Sequence, residues 1–306
     1  MEVARTFGKA RPVAKFSGVG RFLDVLPYLL PALLVFTVFE YYPLLRVIYL
    51  SFTDADLLRA PNWVGLENYQ QIFTRREFHN SLVVTTIFAV SVTLLLVGLG
   101  MALAFLMNVK TRFQSFLRGA IFAPTVVSVT ASALIWLHMM NPNGGPLNAI
   151  LQALGFEGVR WLAHPQTALA SVILIAVWMG VGLSAVIFLA GLQGIPRELE
   201  EAARVDGASP WQAATRITIP LLAPTTMVVF FLALMGTFRS YGLILVLNTD
   251  GGPVGSTNLL GWYIYQNAFQ FFQMGYASAL SVVLLLLLLF LAWVQFKATE
   301  GRVHYQ

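Results

Sequence analysis

The sequence predicts an all-α integral membrane protein with six transmembrane helices and both termini in the cytoplasm. Three observations carry that expectation: an apolar share too large for a soluble core, six apolar runs of spanning length, and an uneven distribution of basic residues between alternate loops. Of 306 residues, 58% are hydrophobic and 11% charged, and the mean hydropathy is +0.73. One soluble core cannot hide that much apolar surface, so the solvent is lipid. In residues 280–294, 12 of 15 are Leu, Val or Phe, which favours insertion by about 4–7 kcal/mol. A single unpaired charge there would offset roughly half of it.

In chain order, residues 1–26 form a basic N-terminal segment. The apolar run 27–49 resembles a signal peptide, but it is long, carries Pro27 and Pro31 and lacks a small-x-small cleavage site, so it reads as a retained first span. Segment 50–81 is too polar to cross lipid. Its Trp63, Tyr69, Phe73 and Phe78 are spaced among charges, as in an amphipathic element at the outer interface. Further runs able to cross roughly 30 Å of hydrocarbon lie at 82–106, 119–139, 168–192, 222–247 and 277–296. They complete a transmembrane domain of 27–296, followed by a tail of 297–306. With cytoplasmic termini, the inner segments hold 13 Lys and Arg and the outer segments 4, the asymmetry that the positive-inside rule demands. The pI near 9.6 therefore reports orientation and implies no nucleic-acid partner.

The inner loop 194–221 reads as two short helices with a sharp turn. Pro196 suits a first helical position, and Glu198, Glu200 and Glu201 complement the helix dipole. Gly207 supplies the left-handed stop. Ser209 caps a second helix with Pro210 as its first residue, running through Trp211 and Ile217 until Pro220 ends it. The run Glu201-Ala202-Ala203-x-x-Asp206-Gly207-Ala208, followed by Ile217-x-x-Pro220 and Pro224, resembles the EAA motif of ABC-importer permeases. Small Ala202, Ala203 and Ala208 permit close helix approach, Glu201 can meet basic groups of a partner, and Gly207 sets the bend.

Ser51-Phe52-Thr53-Asp54, Val64-Gly65-Leu66-Glu67-Asn68-Tyr69, Asn141-Pro142-x-Gly144 and Gly251-Gly252-Pro253 resemble, in order, signatures of the sugar-type branch. The chain departs from that branch at Gly242, where an acid is usual, and near Thr125 and Ser128, where an aromatic residue and a proline are frequent. The resemblance implies the type I ABC-importer permease fold in the inner membrane, with the loop helix seated in a cleft of the ATPase. It implies a companion permease, usually a different chain, two ATP-binding cassette subunits and an extracytoplasmic solute-binding protein. The cargo it implies is a sugar or polyol, with glycerol 3-phosphate as the alternative.

A polar cargo needs hydroxyls, aromatic faces and loosened helices at mid-membrane. Three spans offer them: the third with Thr125, Ser128 and Thr130, the fourth with Trp178-Met179-Gly180-Val181-Gly182 and Ser184, the fifth with Gly236-Thr237-Phe238-Arg239-Ser240-Tyr241. In sugar-importing relatives the positions matching Met179, Gly180, Thr237 and Ser240 border the substrate, as do those matching Thr125 and Val129. Small and hydroxylated residues also serve simply to pack helices. Arg239, a costly intramembrane cation, can recognise a phosphate, bind a sugar hydroxyl, or pair with an acid of the companion subunit.

There is no cysteine, hence no disulfide or thiolate metal site, and the four histidines follow no pattern. No Gly-x-x-x-x-Gly-Lys-Ser/Thr loop occurs, so the chain is read as no enzyme and as binding no cofactor; ATP and Mg²⁺ belong to the partner ATPase. An intramembrane protease is excluded because Gly182-Leu183-Ser184-Ala185 lacks the glycine after the nucleophile. A secondary transporter or channel is the rival class. It normally carries several ionisable groups within its spans, whereas here only Arg239 is central.

Overall fold

The computed structural model describes residues 18–56, 59–109, 114–248 and 250–300. Most of the expected basic N-terminal segment and the last part of the tail lie outside them. All regular elements among the described residues are helical apart from one isolated β-bridge, Thr53 to Trp63.

Residues up to Tyr49 form a unit of their own. Its described part consists of α1 (Gly18–Phe36), a π-helical turn (Thr37–Tyr41) and all but the last residue of α2 (Tyr42–Leu50), with Pro27 and Pro31 inside α1. Proline lacks an N–H and its ring crowds the carbonyl four residues back. The wide π turn relieves that crowding for Pro43, two residues beyond it.

The second unit begins at Leu50. Its first elements are α3 (Glu67–Thr74), α4 (Arg76–Asn108), α5 (Gln114–Val126), α6 (Val129–Met139), α7 (Pro146–Ala153) and α8 (Pro165–Gln193). They are followed by α9 (Arg197–Val205), α10 (Pro210–Ala213), α11 (Ile219–Leu221), α12 (Ala223–Phe238), α13 (Tyr241–Leu247), α14 (Leu260–Tyr265) and α15 (Met274–Glu300). The core is α4 against α8. On α4 the buried positions Phe88, Val92, Leu96, Gly100, Ala104 and Met107 recur every three or four residues, which places them on one face. They meet Val172, Ile175, Ala185, Phe188 and Leu192 of α8. Helix α12 adds Val229 and Ala233. Without water between them, helices in lipid associate by such close packing of small and apolar side chains.

Four helices are long and apolar enough to cross a membrane among the described residues, and up to six if each of two bent pairs counts as one span. The expected span 119–139 is not a straight helix: α5 and α6 meet at 101°. Pro124 removes one backbone donor near the end of α5, and Ser128, in an extended conformation, accepts the Ala131 N–H to start α6 afresh. The expected span 222–247 is likewise interrupted between α12 and α13, at Arg239 and Ser240.

Segment 50–81 folds as a clasp. Trp63 stacks on Phe52 at 5.4 Å, the Asn68 side-chain amide donates to the Ser51 and Thr53 carbonyls, and Ile72 is wholly buried against Leu260, Tyr276 and Leu280. From Arg76 the chain is already α4, because its polar first turns continue the helix beyond its apolar part. Helices α7 and α14 had no counterpart in the sequence pattern.

Candidate functional site

Two features stand out, a cavity and a polar elbow. The cavity has a volume of about 530 Å³ and is walled by α4, α8 and α12, with the two helix breaks at one side. Val129 is the first residue past the α5–α6 break, and Tyr241 and Gly242 are the first past the α12–α13 break; all three line it. A side chain added at Gly242 would come within 3.9 Å of Val129, so the two breaks adjoin. Interrupted helices expose backbone and side chains that a continuous helix would hold against its own axis.

Of the residues singled out from sequence, Val129, Met179, Gly180, Thr237, Arg239, Ser240 and Tyr241 line this cavity. Thr125 and Trp178 do not. Thr125 donates to the Met179 carbonyl at 3.4 Å, tying α5 to α8, and Trp178 meets Trp136 edge-on at 5.6 Å. Gly182 explains how α5 comes so close: a Cβ there would overlap the Ile121 carbonyl oxygen and crowd Thr125. The sequence reading missed the apolar wall formed by Val92, Leu96, Val229 and Ala233. Their signal was the buried stripe of α4 and α12, in which these four are apolar and so unmarked. It also missed Tyr265, which stacks on Tyr241 at 5.9 Å and on Trp262 at 5.5 Å.

The cavity's hydroxyls are donors to their own helices. Thr237 donates to the Leu234 carbonyl at 2.6 Å, Ser240 to Gly236 at 3.3 Å and Ser184 to Gly180 at 3.4 Å. Each oxygen keeps its acceptor capacity for something in the cavity. Among the described residues Arg239 is the only charged one lining it. Among the described residues no three His, Cys, Asp or Glu side chains converge as a metal site.

A second cavity of about 530 Å³ joins the loops that hold Asn141-Pro142 and Gly252-Pro253, together with Asn248 and Asp250. Two signatures far apart in sequence thus share one depression.

The elbow is α9 to α11. Pro196 stands just before α9 as its N-cap, one residue earlier than expected. Gly207 ends the helix with φ of +80°, the Ala208 N–H donating to the Ala203 carbonyl and the Gly207 N–H to Arg204. These are the two bonds of a Schellman stop. Ser209 and Gln212 then form a capping box at Pro210. The expected end at Pro220 is displaced: the helix runs through Pro220 to Leu221 and then bends by 65° into α12. A π turn at Ala214–Thr218 precedes Pro220 by the spacing seen at Pro43 and opens the helix for the ring. Glu201, Ala202, Asp206, Pro220 and Pro224 are exposed, Ala203 is buried and Ala208 half-buried. Two apolar side chains also point away from the fold, Val205 at 88% and Trp211 at 76% exposure.

Residues 94–298 match the family described as binding-protein-dependent transport system inner membrane component. The chain is 34% identical over 286 residues to the probable ABC transporter permease protein YesP of Bacillus subtilis, covering 91% of each chain. To the sn-glycerol-3-phosphate transport system permease protein UgpA of Agrobacterium fabrum it is 34% identical over 290 residues, covering 92% of this chain and 97% of the other. Its fold matches a chain in the crystal structure of a bacterial alginate ABC transporter in complex with an alginate pentasaccharide-bound periplasmic protein. There the TM-score is 0.83 at 21% identity, over 92% of this chain and 96% of the other.

Proposed function

The chain belongs to the family of binding-protein-dependent transport system inner membrane components, and from that premise we propose that it supplies half of a translocation pathway for a sugar or related polyol. It is a permease, a multi-pass transport subunit of an ABC importer in the inner membrane. In the proposal it crosses the membrane six times with both termini in the cytoplasm, the two bent helix pairs each serving one crossing or its approach. A companion permease completes the pathway, two ATP-binding cassette subunits hydrolyse ATP with Mg²⁺, and a solute-binding protein delivers cargo from outside. The mouth formed by Asn141, Pro142, Asn248 and Gly252 receives that delivery.

The observation that carries the coupling role is the elbow itself. Two helices locked by a Schellman stop and a capping box present Glu201, Val205 and Trp211 outward. An exposed Trp and an exposed Val on a charged, rigid knob suit a protein cleft better than water. In the cycle, ATP closes the ATPase dimer, the elbow moves with it, and the bend at Leu222 passes the motion to α12 and the cavity; hydrolysis resets the inward-facing state. Ala202, Ala203, Asp206, Gly207, Ala208, Pro220 and Pro224 shape the knob, while Val129, Met179, Gly180, Thr237, Ser240 and Tyr241 border the cargo. Thr125 and Trp178 hold the cavity wall.

The test is Glu201→Lys in the complete importer. Uptake and co-purification of the ATPase are expected to be lost with membrane insertion intact; normal uptake would refute the coupling role. A second reading, import of glycerol 3-phosphate by the same machinery, is favoured by the likeness to UgpA and by the cation in the cavity.

A further inference from the structure

We infer that the cargo carries a negative charge, and that Arg239 is the residue that recognises it. This rests on the reading of the cavity as the cargo path.

Hydrogen-bonding roles in the cavity are unevenly divided. Ser184, Thr237 and Ser240 have donated their protons to their own helices, so they offer the cavity acceptors. Among the lining side chains, donors are left to Tyr241 and to Arg239, whose guanidinium carries five N–H groups in a fixed fork. Arg239 is exposed, it lines the cavity, and within 50–306 no described side chain or carbonyl pairs with it. It sits at the C-terminal cap of α12, 16 helical residues from the start of that helix, or about 24 Å at 1.5 Å per residue, short of the roughly 30 Å of hydrocarbon.

A cation within a span is costly, and an anion that meets it at some stage of the cycle offsets that cost. Arginine's planar fork matches phosphate and carboxylate oxygens. The remaining wall is largely apolar on α4 and α12, and Tyr241 also lines the cavity. Cation, hydroxyl acceptors and an aromatic ring together fit a polyol or sugar bearing an acidic group. The acid is a phosphate ester or a uronate carboxylate; the shared chemistry is the oxyanion.

The chain has no cysteine, so one introduced thiol reports the field at Arg239. Ser240→Cys is made in the complete importer in proteoliposomes. Its modification by anionic sulfonatoethyl, cationic trimethylammonioethyl and neutral methyl methanethiosulfonates is timed by mass spectrometry of this chain. The anionic reagent is expected to outpace the cationic one by at least about fivefold relative to their ratio on free cysteine, and adding Arg239→Gln is expected to abolish the preference. An unaltered or inverted ratio would mean that an acid from another subunit neutralises Arg239, and would overturn the inference while leaving the cavity as the path. If the neutral reagent never reaches the thiol in any nucleotide state, the path reading falls and this inference with it. Val129→Cys, at the adjoining helix break, repeats the measurement should the first variant fail to assemble.

Uptake of glycerol 3-phosphate against glycerol, and of digalacturonate against a neutral galactose disaccharide, then identifies the acid. Preference for either anion supports the inference and names its source, and preference for the neutral member of both pairs overturns it. If none of the four is carried, the thiol ratio alone decides.

Discussion

The elbow at 197–221 and the cavity wall where α5 meets α8 both depend on one glycine, but for opposite reasons. At Gly207 a side chain would find nothing within 4 Å, and only the φ of +80° demands glycine. At Gly182 the backbone is ordinary helix, and a side chain would collide with the Ile121 carbonyl and Thr125. The elbow is therefore shaped by local conformation and the wall by distant chain packed against it. Damage to the first should stay local, and damage to the second should spread.

The largest effect is expected at the wall. Gly182→Leu forces α5 away from α8, and overpacking of this kind costs about 1–3 kcal/mol, occasionally more. Because the same contact holds Thr125 to the Met179 carbonyl and brings the α5–α6 break to the cavity, thermal stability in detergent and uptake should fall together. A variant with unchanged melting temperature would show that the wall is as forgiving as the elbow.

Gly207→Val is the counterpart. A branched residue in the left-handed region costs about 1–2 kcal/mol, paid by the elbow alone. ATPase association and uptake should drop while the melting temperature of the membrane portion holds, and Gly207→Asn, which tolerates that conformation, should recover most of the loss. A matching fall in melting temperature would erase the distinction between the two regions.

The same difference decides what could be read from sequence. The elbow obeys rules that act within five residues: a glycine stop, a Ser-Pro start, acids in the first turn. Ser209 with Pro210 and the turn at Gly207 were accordingly legible, and even the misjudged end at Pro220 came from a local rule overridden by a local π turn. The cavity residues legible from their own chemistry are the polar or small ones that interrupt apolar spans, whereas Val129 and Met179 were legible only through the resemblance. The α5–α6 bend was hidden because hydropathy is continuous across it, and Leu96 and Val229 were hidden because an apolar wall residue is chemically identical to one facing lipid. Thr125 shows the converse: a hydroxyl placed in the path by its type serves to tie α5 to α8.

The clasp at 51–64 lies between these two regimes, with local hydrogen bonds closing a non-local contact, and it offers the smallest expected effect. Asn62 donates its side-chain amide to Asp54 at 3.1 Å and its backbone N–H at 2.6 Å, which holds the Asp54 carboxyl below its ordinary value of 3.8. A carboxyl depressed in the folded state contributes stability above its unfolded pKa and loses that contribution as pH falls through the folded one. Amide exchange at Val64, whose N–H donates to the Phe52 carbonyl, should therefore be flat from neutral pH down to about pH 4 after correction for intrinsic rates, and should quicken below it. Asp54→Asn should remove that acid step and leave the rest of the fold unaffected. An acid step that survives the substitution would place the control of the clasp in its packing, through Phe52 on Trp63, and group it with the cavity wall.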